Sequence, residues 1–144
     1  MFSKTCEYGL RAAIFIAQES KVNKKVSISA ISDAIDSPQA FTAKILQQLT
    51  KHKIIQSIKG PHGGFFIDEK NLKTVALSNI VQVLDGDSIY TGCGLGLHKC
   101  NDKKPCPVHF KFIDIRENLK KMLESTTLLE LSEDINLRDS FLKN

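Results

Sequence analysis

One short stretch of this 144-residue sequence concentrates chemistry. From Thr91 to His109 it holds Cys93, Cys100 and Cys106, three of the chain's four cysteines, beside His98 and His109. Thiolates are soft donors suited to zinc or iron-sulfur centres, and the glycines and prolines between them let backbone wrap a centre without helical or sheet geometry. Six residues separate Cys93 from Cys100 and five separate Cys100 from Cys106. Paired ligands of structural zinc usually stand about two to four residues apart. The spacing therefore favours an iron-sulfur cluster over zinc, with cofactor-free thiols as the remaining reading. Three thiolates leave a cluster one donor short of four. His109 and His98 are near in sequence, and Glu7 or Cys6 can arrive through the fold or from a second chain. Cys6 itself falls on the apolar stripe of a helix and reads first as a packed core thiol. Lys103 and Lys104 read as solvated loop charges.

Composition bounds what else the chain can be. A hydrophobic content of 42% suits a globular domain, and a net charge of +4 is a mild basic excess that assists association with a polyanion without proving it. No apolar run of about 18 residues occurs, and the N-terminus does not lead from basic residues into an apolar core. The chain is therefore expected to stay in the cytoplasm, away from membranes. In a reducing compartment the unevenly placed cysteines do not form a disulfide framework. No Cys-x-x-Cys pair accompanies a βαβ pattern and no nucleophile, base and orienter set is legible, so neither an enzyme nor a small-molecule substrate is expected.

The elements that must position this loop are read from periodicity. Cys6, Leu10, Ala13, Ile14 and Ala17 recur at helical steps between Ser3 and Ser20. Gly9 lies inside that helix; the plainer of two readings is a helix tolerating a weak residue, the other a close approach by a second element. Ser27 caps a short helix carrying Ile28, Ala30, Ile31, Ala34 and Ile35. Asp36-Ser37-Pro38 breaks it, and a third helix restarts with Ser37 as cap and Pro38 in its first turn, running to about His52. Phe41, Ile45, Leu46 and Leu49 fall on one side of this helix and Ala40, Ala43, Lys44 and Gln47 on the other, the outline of a helix-turn-helix whose outer face, starting at Gln39, meets DNA. The β-rich runs 54–59 and 65–68 flank Gly60-Pro61-His62-Gly63-Gly64 and predict a hairpin wing, with Lys59 and His62 at its tip. Ser78 caps a helix ending near Asp85-Gly86. Residues 87–107 lack periodicity. Val108, Phe112, Ile115, Leu119 and Met122 form the narrow seam of a long helix that packs on a partner helix, residues 128–135 a last short helix, and the tail from Arg138 is expected to fray.

The order of these parts resembles the IscR and NsrR group of bacterial regulators, the Rrf-two family, over nearly the whole chain. The opening Ser3-Lys4-Thr5-Cys6-Glu7-Tyr8-Gly9-Leu10-Arg11-Ala12, the recognition helix ending Gln48-Leu49, the wing Lys59-Gly60-Pro61-His62-Gly63-Gly64 and the three-cysteine loop before the long helix carry the likeness. It implies a mainly α fold with a small hairpin wing: a winged helix-turn-helix domain over residues 1–77, then a cysteine loop and dimerisation helix over 78–144. It also implies a homodimer on a partly palindromic double-stranded DNA operator, with cluster state controlling affinity. Cys93, Cys100 and Cys106 match the family's three cysteine ligands. His109 matches the histidine that ligates a two-iron cluster in the IscR type, and Glu7 sits where NsrR-type members place an aspartate that completes a four-iron cluster. The first cysteine gap is one residue longer than the usual five, and Lys59 stands where the wing commonly carries arginine, which lacks lysine's freedom but has a planar fork. A cofactor-free thiol sensor on the same scaffold, or a zinc-binding regulator, are the alternatives.

Overall fold

A computed structural model of the chain describes residues 1–137 and 141–144, the side chains of residues 134–137 excepted. Its helices are α1 (Lys4–Lys21), α2 (Ile28–Ile35), α3 (Gln39–Lys51), α4 (Glu69–Thr74), α5 (Leu77–Asp85), α6 (Ser88–Thr91), α7 (His109–Ser125) and α8 (Leu128–Leu137). Strands β1 (Gln56–Ile58) and β2 (Gly64–Phe66) form an antiparallel hairpin in which Ser57 faces Phe65 and Gln56 faces Phe66. Among the described residues no helix is long and apolar enough to cross a membrane.

Local chemistry starts most of these elements where the sequence suggests. Ser3 accepts a hydrogen bond from the Cys6 N–H and Ser27 one from the Ala30 N–H, each satisfying an otherwise orphaned donor of a first turn. Two caps differ from expectation. Asp36 turns into the left-handed region at φ 51° to close α2, which moves the start of α3 on by one residue, so that Pro38 is the cap and Gln39 the first helical residue. Ser37 Oγ is instead spent on Thr42 Oγ1 at 2.5 Å. Ser78 lies inside the first turn of α5, because Asn79 Oδ1 reaches back to the Ala76 N–H at 2.9 Å and fixes the start there. The six-residue helix α4, capped by Asp68 through the Asn71 N–H, is too short to leave a periodic signal. The hairpin is also shorter than the β-rich runs: Ile54 and Ile55 are buried core residues that lead into it, and Ile67 is buried just beyond it.

The core is organised around α1, which packs against α2, α3, α5, α8 and the β2 strand. Its buried face is built from small residues, Gly9, Ala12, Ala13 and Ala17, together with Cys6, Leu10 and Ile16. Gly9 marks a close approach by a second element, contrary to the plainer reading. A Cβ there would lie 2.2 Å from Leu84 Cδ1 of α5 and 3.3 Å from Ile45 Cγ2 of α3. The C-terminal segment closes on the same helix: α8 packs on α1 and α4, and an antiparallel bridge joins Ala76 to Thr127 through Leu77 N–H to the Thr126 carbonyl and Leu128 N–H to the Val75 carbonyl, both 3.0 Å. Of the tail expected to fray, residues 138–140 lie outside the described residues. Beyond them the Lys143 ammonium donates to the Asp33 carbonyl at 2.9 Å and the Leu142 carbonyl accepts from Arg11 at 3.5 Å.

Cys6 is fully buried at the start of α1. Burial, then the Asp85 carboxylate, push its thiol up to about 12. Asp85 in turn accepts from the Ser3 N–H at 2.9 Å and from the Ser3 hydroxyl, tying the end of α5 to the start of α1. A thiol held protonated in this way is a poor metal ligand.

Two outcomes follow from this packing. Gly9→Ala gains helix propensity of about 1 kcal/mol while the end of the Leu84 side chain swings aside, so it changes stability little. Gly9→Leu must also displace buried Ile45 and lowers the unfolding free energy by about 2–3 kcal/mol in urea titration. In the native chain at pH 8, iodoacetamide labels Cys93, Cys100 and Cys106 and spares Cys6; equal labelling of Cys6 would contradict its burial. Because the folded state keeps the Cys6 proton that the unfolded chain loses near its ordinary value of 9.0, this residue's contribution to stability declines as pH rises from about 9 toward about 12.

Candidate cluster loop and nucleic-acid interface

Between α6 and α7 the chain runs through turns, as the missing periodicity suggests, and this loop presents its thiols in two groups. The first is built around Cys93. A turn closes from the Gly96 N–H to the Cys93 carbonyl at 3.0 Å, and Gly96 adopts φ 73°. This folds the Leu95, Leu97 and Gly96 N–H groups and the Cys106 thiol onto the Cys93 sulfur. The Leu95 N–H contributes most, and together they lower the Cys93 pKa, favouring the thiolate that ligates metals. The turn lies under the Phe112 ring of α7: a Cβ at Gly94 would stand 2.5 Å from ring carbons, so glycine lets the aromatic ring close over it.

The second group is built around His109, the first residue of α7 and only 3% exposed. Its Nδ1 lies 3.2 Å from the Cys100 sulfur and its Nε2 2.9 Å from Asp102 Oδ1. With the Nε2 proton given to the carboxylate, Nδ1 is the nitrogen left with a lone pair to offer, either to the Cys100 S–H or to a metal. On the other side of that sulfur, Arg116 Nη2 donates at 3.3 Å, and Arg116 Nη1 donates to the Gly92 carbonyl. The His109 N–H donates to the Cys106 carbonyl at 3.0 Å, so the two groups meet in one turn of backbone.

The donor set fits an iron-sulfur cluster in kind. Three thiols of one glycine-containing loop and an imidazole at its end lie together, the Cys93 pKa is lowered by the turn around it, and the Asp102 carboxylate orients the imidazole. The donors stand as two pairs, Cys93 with Cys106 and Cys100 with His109. Among the described residues no three His, Cys, Asp or Glu side chains converge closely enough to hold a single metal ion. Of the other candidates, His98 is exposed, and Glu7, on the first turn of α1, pairs with Lys4 at 3.0 Å. The row Cys100, His109 and Asp102 is a thiol, base and carboxylate arrangement that the sequence did not reveal. The two cavities described lie elsewhere, on either face of the hairpin.

Asp102 and Arg116 escaped sequence reading. Asp102 looked like one more loop polar residue. Arg116 did carry a signal, since it follows His109 by seven residues and so shares its helical face.

The candidate DNA face is contiguous. Thr42, Ile45, Leu46 and Leu49 are buried and Phe41 half-buried, whereas Gln39, Ala40, Lys44 and Gln47 are exposed and Ala43 half-exposed. Ala43, Lys44, Gln47 and Lys51 of α3 face Ser57 and Phe65 of the wing across a cleft of about 510 Å³. Lys59 and His62 are exposed at the wing tip. The hairpin is braced from behind by Val26, whose N–H and carbonyl pair with Phe65 at 2.9 and 2.7 Å, and by the Lys25 ammonium 5.5 Å from the Phe66 ring centre.

Comparison with known proteins agrees with this architecture. A helix-turn-helix transcriptional regulator of Aquifex aeolicus is 28% identical over 99% of this chain and 96% of its own length. The regulator IscR of Klebsiella pneumoniae is 24% identical over 92% of this chain and 79% of its own. Among solved structures, CymR, the global cysteine regulator of B. subtilis, superposes with a TM-score of 0.73 at 21% identity, covering 92% of this chain and 96% of its own. T. potens IscR gives 0.71 at 18% identity, covering 93% and 87%. The family model Rrf2, described as an iron-dependent transcriptional regulator, matches residues 2–134. With the hairpin wing, the helix pair α2–α3 and a family match over almost all of its length, this chain belongs to the Rrf2 family of winged-helix transcriptional regulators, whose members are not enzymes.

Proposed function

We propose that this regulator is a homodimer that grips a double-stranded DNA operator with α3 and the wing, and that an iron-sulfur cluster held by Cys93, Cys100, Cys106 and His109 sets its affinity. The observation that carries the reading is the pairing of His109 Nδ1 with the Cys100 sulfur while Asp102 occupies Nε2. A histidine so oriented offers the fourth donor that three cysteines lack. This favours His109 over Glu7, and hence the two-iron type. When bound, such a cluster supplies a group whose integrity depends on oxidants, nitric oxide and iron supply.

The residues of the chain do the rest. The α3 N-terminus has no side-chain cap, so its first N–H groups, beside exposed Gln39 and Ala40, are free to receive a phosphate. Lys44 and Gln47 point from the outer face toward base edges or backbone, with Ala43 permitting close approach. Lys59 and His62 extend the contact through the wing. The homodimer reading rests on α7, where Ile115 and Met122 are 57% and 46% exposed although they lie on the apolar seam. Such exposed apolar residues on one helical stripe suit a partner helix. A cofactor-free thiol switch is the second reading, favoured by the hydrogen bond between Cys93 and Cys106, which together with the backbone N–H groups lowers the Cys93 pKa.

Anaerobic isolation tests the proposal. Brown protein with iron and acid-labile sulfide is the expected result, lost in Cys100→Ala and altered in Mössbauer spectra of His109→Ala but not of Glu7→Gln. A colourless, metal-free protein that still binds its operator would favour the thiol switch. Lys44→Ala or Gln47→Ala weakens operator binding by about 1–3 kcal/mol per lost base contact, or less for a phosphate contact, and leaves the dimer intact in sedimentation. Ile115→Asp converts the dimer to monomer.

A further inference from the structure

The Arg116 side chain is half-buried on α7, and among the described residues it has no ion-pair partner, although Asp114 and Glu117 are close in sequence. Its charge is spent on the loop. One arm of the guanidinium donates to the Gly92 carbonyl where the loop leaves α6, and the other to the Cys100 sulfur in the middle of the loop. His109 approaches the same sulfur from the start of α7. Cys100 is therefore held by two residues of one helix, seven positions apart, and one of them also holds the start of the loop.

We propose that Arg116 is the positioning residue that couples the cysteine loop to α7 and sets the electronic environment of the Cys100 sulfur. The second half of this inference rests on the cluster reading above; the first does not. A guanidinium has its donors in a fixed planar fork, so it can hold two acceptors whose separation it dictates, which the single ammonium of lysine cannot do. Of the two acceptors, the carbonyl is neutral throughout, but sulfur becomes a much stronger acceptor as a thiolate or an iron-bound thiolate than as S–H. The grip of Arg116 thus tightens when the sulfur carries charge and slackens when that charge is lost. Arg116 directly follows Ile115 and precedes Leu119 by three residues, so a change at Cys100 is delivered to the stripe of α7 proposed to face the partner. Hydrogen bonds to cluster sulfurs also tune reduction potential, because they stabilise the more negative reduced state.

The test uses the full chain with Arg116→Met, which keeps volume and removes every donor, and Arg116→Lys, which restores the charge on a single donor nitrogen without the fork. In metal-free protein, hydrogen-deuterium exchange of residues 92–101 is expected to quicken about tenfold in Arg116→Met, in line with the loss of a charge-assisted hydrogen bond. It should quicken less in Arg116→Lys, while α1 and α3 exchange as in the parent. After reconstitution with ferrous iron and sulfide, samples matched for iron content should show a midpoint potential lowest in Arg116→Met, intermediate in Arg116→Lys and highest in the parent. Loop exchange unchanged in both variants would overturn the coupling role, and identical potentials would overturn the electronic one. If the parent chain takes up no iron, the cluster reading fails, and the exchange measurement alone still decides whether Arg116 tethers the loop.

Discussion

The close burial of α1 is the constraint on which the rest of the molecule depends. Gly9, Ala12, Ala13 and Ala17 leave so little side chain on its inner face that α3, α5 and α8 approach it together. Interiors are packed to near-crystalline density, so these approaches are mutually dependent: Leu84 occupies the space a side chain at Gly9 would need, and Ile45 stands beside it. The candidate recognition helix α3 and the helix α5 that leads to the cysteine loop are thus seated on the same few small residues. The Asp85 carboxylate, bonded to Ser3, fixes the same junction at its polar edge.

From that junction the contacts continue in one direction. The α5 helix packs on α3 and on α7, and α6 packs on α7, so the segment that holds Cys93, Cys100 and Cys106 leaves a helix packed on α7 and ends in α7 itself. His109 and Arg116 then tie the loop to that helix through one sulfur. A rearrangement of the loop has a packed route to the recognition helix that passes through α7 and α5, with no mobile linker between. Packed elements of this kind shift between discrete arrangements rather than deform smoothly, and the proposed control of DNA binding by ligation at Cys100 would use that route.

The two halves of the site differ in what holds them. The proposed DNA face is a by-product of core formation: burial of Ile45, Leu46 and Leu49 turns Lys44 and Gln47 outward, and the Val26 bridge holds the wing beside them. The cysteine loop buries little apolar surface and is held by polar bonds, from the turn at Cys93–Gly96 to the Asp102–His109 contact. Elements with few apolar contacts open most readily, which suits the sensing role proposed for this segment.

Sequence by itself determined the features that arise from interactions within a few residues. The stripe from Cys6 to Ala17, the cap Ser27, the turn residues Gly60 to Gly64 and the crowding of thiols from Cys93 to Cys106 each declare themselves through periodicity, capping or composition. Tertiary structure alone decided the matters that depend on residues far apart in the chain. It showed that Leu84 packs against Gly9, that Asp85 and burial together keep the proton on Cys6, that α8 returns to α1, and that Asp102 and Arg116 flank the His109–Cys100 pair. Long-range packing and side-chain bridges leave the helical and turn signals unchanged: any polar residue at position 102 would give the same turn, and the spacing of Arg116 from His109 puts both on one helical face without telling what they hold.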